Sequence, residues 1–244
     1  ALALVLILFL RDRPADQMGA SSGGSIPAEA PPVRLGAAMQ SLLGNTNFLL
    51  ALLYWGLMGA SAWAVVGWMP TYLNEQFKLG QGVAGLSATG YYQTAALAGV
   101  LVGGIWADRW SRRHPLGPIY VVMIGVAVSA PSILLVSVTD TLVVALAGLV
   151  MFGLTKSFAD ANMMPILTLV ADSRYRATGY GLLNLCACAV GGAAIYAGGV
   201  LRDANVNVVR VFQFGGLSFI VSLAILFFLR PGKSAPQPMA GKSH

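Results

Sequence analysis

Lys156 and Asp160 stand four residues apart inside one long apolar run, Leu142 to Val170, and their chemistry demands an explanation. Either charge at the centre of a membrane helix costs about 2.5–3.5 kcal/mol on insertion scales. The i,i+4 spacing places both on one helix face, yet such a pair recovers only about 0.2–0.5 kcal/mol on an isolated helix, and acid-before-base is the better order. The pair therefore predicts outside help: a polar cavity, a neighbouring helix or an anionic ligand. Counting ~1.5 Å per residue from Leu142 puts Lys156 roughly 21 Å and Asp160 roughly 27 Å into a hydrocarbon core of ~30 Å. At that depth Lys156 is placed to attract an anionic solute and Asp160 to carry a coupling proton. The plainer alternative is a structural pair whose lysine reaches toward the interface.

Other polar side chains recur within the apolar runs. Tyr54, Trp55, Ser61, Trp63, Tyr91, Tyr92, Gln93, Asn162 and Asn184 all lie there. Buried amides require partners, so Gln93 and Asn184 either fasten helices together or contact a solute. Tyr54, Trp63, Gln93, Lys156, Asn162 and Asn184 are the candidate solute contacts, and Asp160 is the candidate proton carrier. Trp68 and Tyr72, near the end of their run, fit an interfacial aromatic belt. Cys186 and Cys188 are two apart, whereas helical neighbours face one another at three or four, so the pair reads as small buried fillers and not as a disulfide. The only histidines are His114 and His244, and no Cys/His cluster has metal-ligand spacing. No phosphate-binding loop and no Ser/His/Asp set within the spans is apparent, so neither a cofactor, a metal, an ATP-driven pump nor an enzyme is expected.

These residues must be positioned by elements that tolerate a bilayer. The chain of 244 residues is 57% hydrophobic and only 10% charged, against about 25% charged in soluble domains. Six long apolar runs follow one another: Asn47 to Leu73, Gly82 to Ala107, Leu116 to Val138, Leu142 to Val170, Ala177 to Val200 and Val208 to Leu229. Each has about 20 or more mostly apolar residues and none alternates with period two, so spanning helices are expected rather than a barrel. The fourth exceeds a perpendicular span and must tilt, kink or protrude, with Pro165 the candidate kink. The third and sixth carry almost no polar groups, as outer helices facing lipid would. Glycines gather at Gly99, Gly103 and Gly104 and at Gly191, Gly192, Gly198 and Gly199, predicting close helix packing.

The net charge of +6 does not predict nucleic-acid binding, because the basic residues sit in short connections between apolar runs and not on a basic face with stacking aromatics. They predict topology instead. With the segment before the first full run cytoplasmic, eleven of the fifteen Lys and Arg fall inside, and only Lys78, Arg202 and Arg210 fall outside. The positive-inside bias therefore places that segment and the C-terminal tail in the cytoplasm. The segment is rich in Gly, Ser, Pro and Ala, a linker composition, and is preceded by Ala1 to Leu10, apolar but only half a span long. No basic region precedes that run and no cleavage site follows it, so a signal peptide is not expected.

Between the second and third runs lies Gly104-Ile105-Trp106-Ala107-Asp108-Arg109-Trp110-Ser111-Arg112-Arg113. Spaced G-x-x-x-D-R-x-x-R-R, it resembles the cytoplasmic loop signature of the major facilitator superfamily, with Ser111 where that loop usually has a second glycine. Trp68-Met69-Pro70-Thr71-Tyr72-Leu73 and Arg174-Tyr175-Arg176-Ala177-Thr178-Gly179-Tyr180-Gly181 are similar to stretches of its organic-anion and sugar-acid symporters. So is Asp160-Ala161-Asn162-Met163-Met164-Pro165.

The resemblance implies an all-α membrane protein, the C-terminal half of a twelve-helix facilitator. Residues 1–10 would end a truncated helix six, 11–45 form the cytoplasmic central loop, 46–230 the six-helix bundle (helices seven to twelve), and 231–244 a cytoplasmic tail. The missing N-terminal six-helix half and the lipid bilayer are the implied partners, in a bacterial inner membrane. The implied activity is secondary transport by alternating access of a small organic solute, an organic or sugar-acid anion with H+ or Na+ symport. A drug or lipid exporter, or a transporter-like sensor without flux, are the alternatives. In the gating loop, Gly104 would allow close helix approach. Asp108, unfavourably placed at a helix C-terminus, would latch one conformation through Arg109 or Arg176, with Asp172 as a third member; Arg112 and Arg113 also set topology.

Overall fold

The computed structural model describes residues 35–229. The expected helix end at 1–10, residues 11–34 of the expected linker and the tail lie outside the described residues. Within them the chain forms seven α-helices and one 3₁₀ turn: α1 (Leu35–Leu43), α2 (Thr46–Phe77), α3 (Gln81–Ser111), α4 (Gly117–Val138), α5 (Leu142–Val170), the 3₁₀ turn Ser173–Tyr175, α6 (Arg176–Asp203) and α7 (Val209–Phe228). The expectation of a linker reaching residue 45 is corrected at its end: Leu35–Leu43 is helical and buries Ala38 and Leu42. Gly44 and Asn45 supply the break before α2.

The six long helices coincide with the six apolar runs. Five are long and apolar enough to cross a membrane. The other, α3, has 31 residues, about 46 Å at ~1.5 Å per residue, but Tyr91, Tyr92, Gln93, Thr94 and its glycines dilute its apolar character. It also continues past the expected end at Ala107, so that Asp108 to Ser111 form its last turn. The fourth run is one continuous helix of 29 residues with Pro165 inside it. The Thr168 hydroxyl donates to the Pro165 carbonyl at 2.6 Å.

Local chemistry sets the ends. The Asn45 side chain accepts from the Asn47 amide at 3.0 Å and donates to the Val170 carbonyl at 2.7 Å, capping α2 and tying it to the end of α5. At the opposite end α2 stops at Lys78, whose φ of 56° is left-handed, and Asn74 donates to the Leu79 carbonyl. There Gln76 bonds Asp140 and Glu75 pairs with Arg202.

Three helix pairs pack most densely, α3 on α5, α2 on α6 and α4 on α5; α7 bridges α4 and α2. Close approach depends on glycine in all three, and a Cβ at Gly125 of α4 would lie 2.5 Å from the Thr155 carbonyl oxygen. A Cβ at Gly99 would lie 2.1 Å from the Leu154 carbonyl oxygen, and one at Gly59 would lie 2.3 Å from that of Ala187. α4 meets α5 through Ser129 and Thr155, whose hydroxyls are 2.8 Å apart. The serines of α4 otherwise return their protons to their own helix, Ser132 to Val128 and Ser137 to Leu134, so the third run stays apolar despite them. α5 and α6 meet sparsely, as do α2 and α5, and the bundle is left open along that seam.

Candidate functional site

The seam holds the charged pair. α5 carries Lys156, Asp160 and Met163 at i, i+4 and i+7, one helical face. Lys156 Nζ donates to both carboxylate oxygens of Asp160, at 2.8 and 2.6 Å. The lysine side chain is 15% exposed and the carboxylate 48%, because the carboxylate faces open space. That space is a cavity of about 660 Å³ between α2, α3 and α5, walled by Trp63 and Val66, by Tyr92, Gln93 and Val100, and by the charged pair. A second recess of about 210 Å³ lies on the α6 side, where Trp55, Tyr180, Asn184 and Cys188 face the same Lys156 and Asp160. Trp63 belongs to both, half-exposed.

The outside help that the pair requires is therefore an open cavity, mostly apolar in its wall but with amide and aromatic groups beside the pair. Solvent reaches the carboxylate while the lysine stem stays buried. The arrangement offers a cation and a carboxylate, already neutralising each other, beside a large indole and two amides. It can exchange an external anion for Asp160 on the ammonium. Among the described residues no group of three or more His, Cys, Asp or Glu gathers to hold a metal ion.

Trp63, Gln93, Lys156, Asp160 and Asn184 thus meet at one seam. Two expected residues do not line it. Asn162, only 1% exposed, donates to the Phe158 carbonyl at 2.8 Å and to that of Gly103 at 3.4 Å, which fastens α5 to α3. It is two residues beyond Asp160, hence across the helix. Tyr54 is fully buried edge-on against Trp55, and its hydroxyl has no hydrogen-bond partner among the described residues. Residues the sequence reading left out of the binding set are Trp55, Tyr92, Met163, Tyr180 and Cys188. Tyr180, Asn184 and Cys188 repeat every four residues, a spacing that was available to find them.

Cys186 and Cys188 are both unpaired thiols. Cys186 is half-buried against α2, where its Sγ approaches the Leu52 carbonyl at 3.8 Å. Cys188 is not a buried filler, since it is exposed at the smaller recess.

At the expected gating loop the close packing falls on other glycines. Gly104 has nothing within 4 Å of a built Cβ, whereas Gly103 would meet Phe158 at 2.8 Å; close approach belongs to Gly99 and Gly103. Asp108 forms no ion pair, because the ion pairs among the described residues are Lys156–Asp160 and Arg202–Glu75. Arg109, Arg112 and Arg113 are exposed beside it. Arg176 donates to the Thr168 carbonyl at 3.4 Å. Asp172 caps the 3₁₀ turn by accepting from the Arg174 amide at 3.0 Å.

The model of the Major Facilitator Superfamily matches residues 1–196. No curated protein sequence matches. Among solved structures, the E. coli fucose:proton symporter superposes with a TM-score of 0.72 at 15% identity, covering 95% of this chain and 52% of that chain. A bacterial homolog of the human lysosomal transporter Spinster, inward-facing and unoccupied, gives 0.57 at 16% identity over 94% of this chain and 54% of that one. Its occupied form gives 0.55 at 16% identity over 93% and 53%. The chain spans about half the length of these structures. At such identities the likeness is one of fold.

Proposed function

The chain belongs to the Major Facilitator Superfamily, and from that premise we propose that it is the C-terminal, six-helix half of a secondary transporter for a small organic anion, working by alternating access. One observation carries the reading: the Lys156–Asp160 pair sits where α2, α3, α5 and α6 leave the bundle open, with carboxylate and cavity in contact. A lysine held there by a single carboxylate is a binding position for the carboxylate of an organic or sugar acid, and Trp63 offers a flat face for its carbon skeleton. Protonation of Asp160 frees the ammonium for the solute and couples uptake to H+; Na+ beside the carboxylate is the competing choice. The fold neighbour described as a fucose:proton symporter supports coupling of this kind by analogy. In this reading the linker and tail are cytoplasmic, the membrane is a bacterial inner membrane, and the exposed Asp108 bonds helix ends of the other half.

The test is uptake by proteoliposomes containing this half together with the N-terminal six-helix half, using labelled organic acids, sugars and cations, with and without an inward pH gradient. Gradient-driven accumulation of an acid, lost in Lys156→Ala, is the expected result. Unchanged acid uptake in that variant would overturn the role of the pair. A second reading, export of an apolar solute, is favoured by the apolar majority of the cavity wall (Ala62, Val66, Ala96, Leu97 and Val100). It predicts inhibition by hydrophobic compounds and indifference to Lys156→Ala.

A further inference from the structure

A second opening lies on the other side of α2, away from the charged pair. α6 and α7 both pack on α2 but not closely on one another, and between them runs a groove of about 400 Å³. Its wall is formed by small or apolar side chains, among them Ala60, Ala64, Ala193, Ala197 and Phe214, and the one charged residue on it is Arg210. The small side chains make it a valley.

Arg210 is exposed, bonds Gln213 Oε1 at 2.9 Å and has no ion pair among the described residues. It sits in the first turn of α7, at the end of the bundle where Arg202 pairs with Glu75. Along α6 the groove reaches from Leu201 back to Val190, about 17 Å at ~1.5 Å per residue. Half the hydrocarbon thickness of a bilayer is about 15 Å. A groove about as long as half a bilayer is thick, with at its mouth one cation that has no ion pair among the described residues, has the dimensions and charge of a single lipid.

We propose that this groove between α6 and α7 is a binding site for an anionic glycerophospholipid, one acyl chain lying in the alanine-lined valley and the headgroup phosphate on Arg210. The apolar wall selects for the chain and the guanidinium for the headgroup charge, since a planar donor array suits a phosphate. The lipid covers a helix whose most apolar window is only 17% buried in the bundle. A bound lipid there fixes the spacing of α6 and α7 on α2, and so reaches the wall of the smaller recess through α6.

The test is native mass spectrometry of the delipidated protein titrated with dioleoyl phosphatidylglycerol, dioleoyl phosphatidylcholine or the chain-free headgroup glycerophosphoglycerol. Phosphatidylglycerol should bind in preference to phosphatidylcholine, and glycerophosphoglycerol should not bind. Arg210→Gln should weaken phosphatidylglycerol about fivefold, the worth of one basic residue at a lipid surface, and leave phosphatidylcholine unchanged. Lys78→Asn, at the same end but off the groove, should leave both unchanged. Ala193→Phe, at an exposed position that fills the valley, should weaken both lipids. Equal binding of the two lipids, equal effects of Arg210→Gln and Lys78→Asn, or tight binding of the bare headgroup would each overturn the site. Arg210 is at the surface, so its variant folds whether or not Ala193→Phe does.

Discussion

A lysine with its stem buried and a half-exposed aspartate make a pair whose worth lies in what it can exchange. Because Asp160 is 48% exposed, the pair behaves energetically more like a surface ion pair, worth about 0–1 kcal/mol, than like a sealed one. Lys156→Ala should therefore shift the thermal unfolding midpoint little, while removing the charge-assisted contact to a bound carboxylate. A lost contact of that kind is worth about 1.5–3 kcal/mol, so KM for an acid should rise at least about tenfold. Asp160→Asn separates the roles: exchange of labelled acid across the membrane should survive, and accumulation driven by a pH gradient should vanish. Retained accumulation in that variant would remove Asp160 from coupling. The pair itself was legible in the sequence, since charges in an apolar run need a reason. The placement of Asn162 was legible only through its phase two residues beyond Asp160, because residue type alone does not say which side of α5 an amide occupies.

At the level of helices, the two densest contacts rest on backbone meeting backbone. Gly99→Ala places a methyl against the Leu154 carbonyl and must push α3 off α5; overpacking of that kind typically costs about 1–3 kcal/mol. Gly104→Ala meets nothing within 4 Å and gains helix propensity, about 0.8–1.0 kcal/mol at most. Thermal unfolding in detergent should show a lower midpoint for the first and an equal or higher one for the second. If Gly104→Ala unfolds as early as Gly99→Ala, the assignment of close packing to Gly99 rather than Gly104 fails. Here the sequence showed that glycine mattered to this helix. It did not separate Gly103 from Gly104, because adjacent residues point about 100° apart and the partner face was unknown. The existence of all six long helices was legible from apolar length. The short α1 was not, since nine residues in a Gly- and Pro-rich setting carry too little periodicity to stand out.

For the molecule as a whole, charge bias and helix count predict a sidedness that labelling can check. With Cys186 and Cys188 replaced by serine, a membrane-impermeant maleimide should reach Arg112→Cys only from the cytoplasmic side of intact cells. It should reach Lys78→Cys only from the outside. Labelling of both from one side would contradict the topology. Membrane residence, helical class and the presence of charge within an apolar run follow from the sequence alone, and the expected sidedness is argued from it too, because each depends on composition along a run and not on neighbours. The seam that α5 and α6 leave open, the sharing of Lys156 and Asp160 between two recesses, the absence of an Asp108 ion pair among the described residues and the lipid-sized groove at Arg210 were decided only by tertiary structure. They depend on which faces of six similar apolar helices turn toward one another, and a bilayer makes every face equally acceptable until packing chooses.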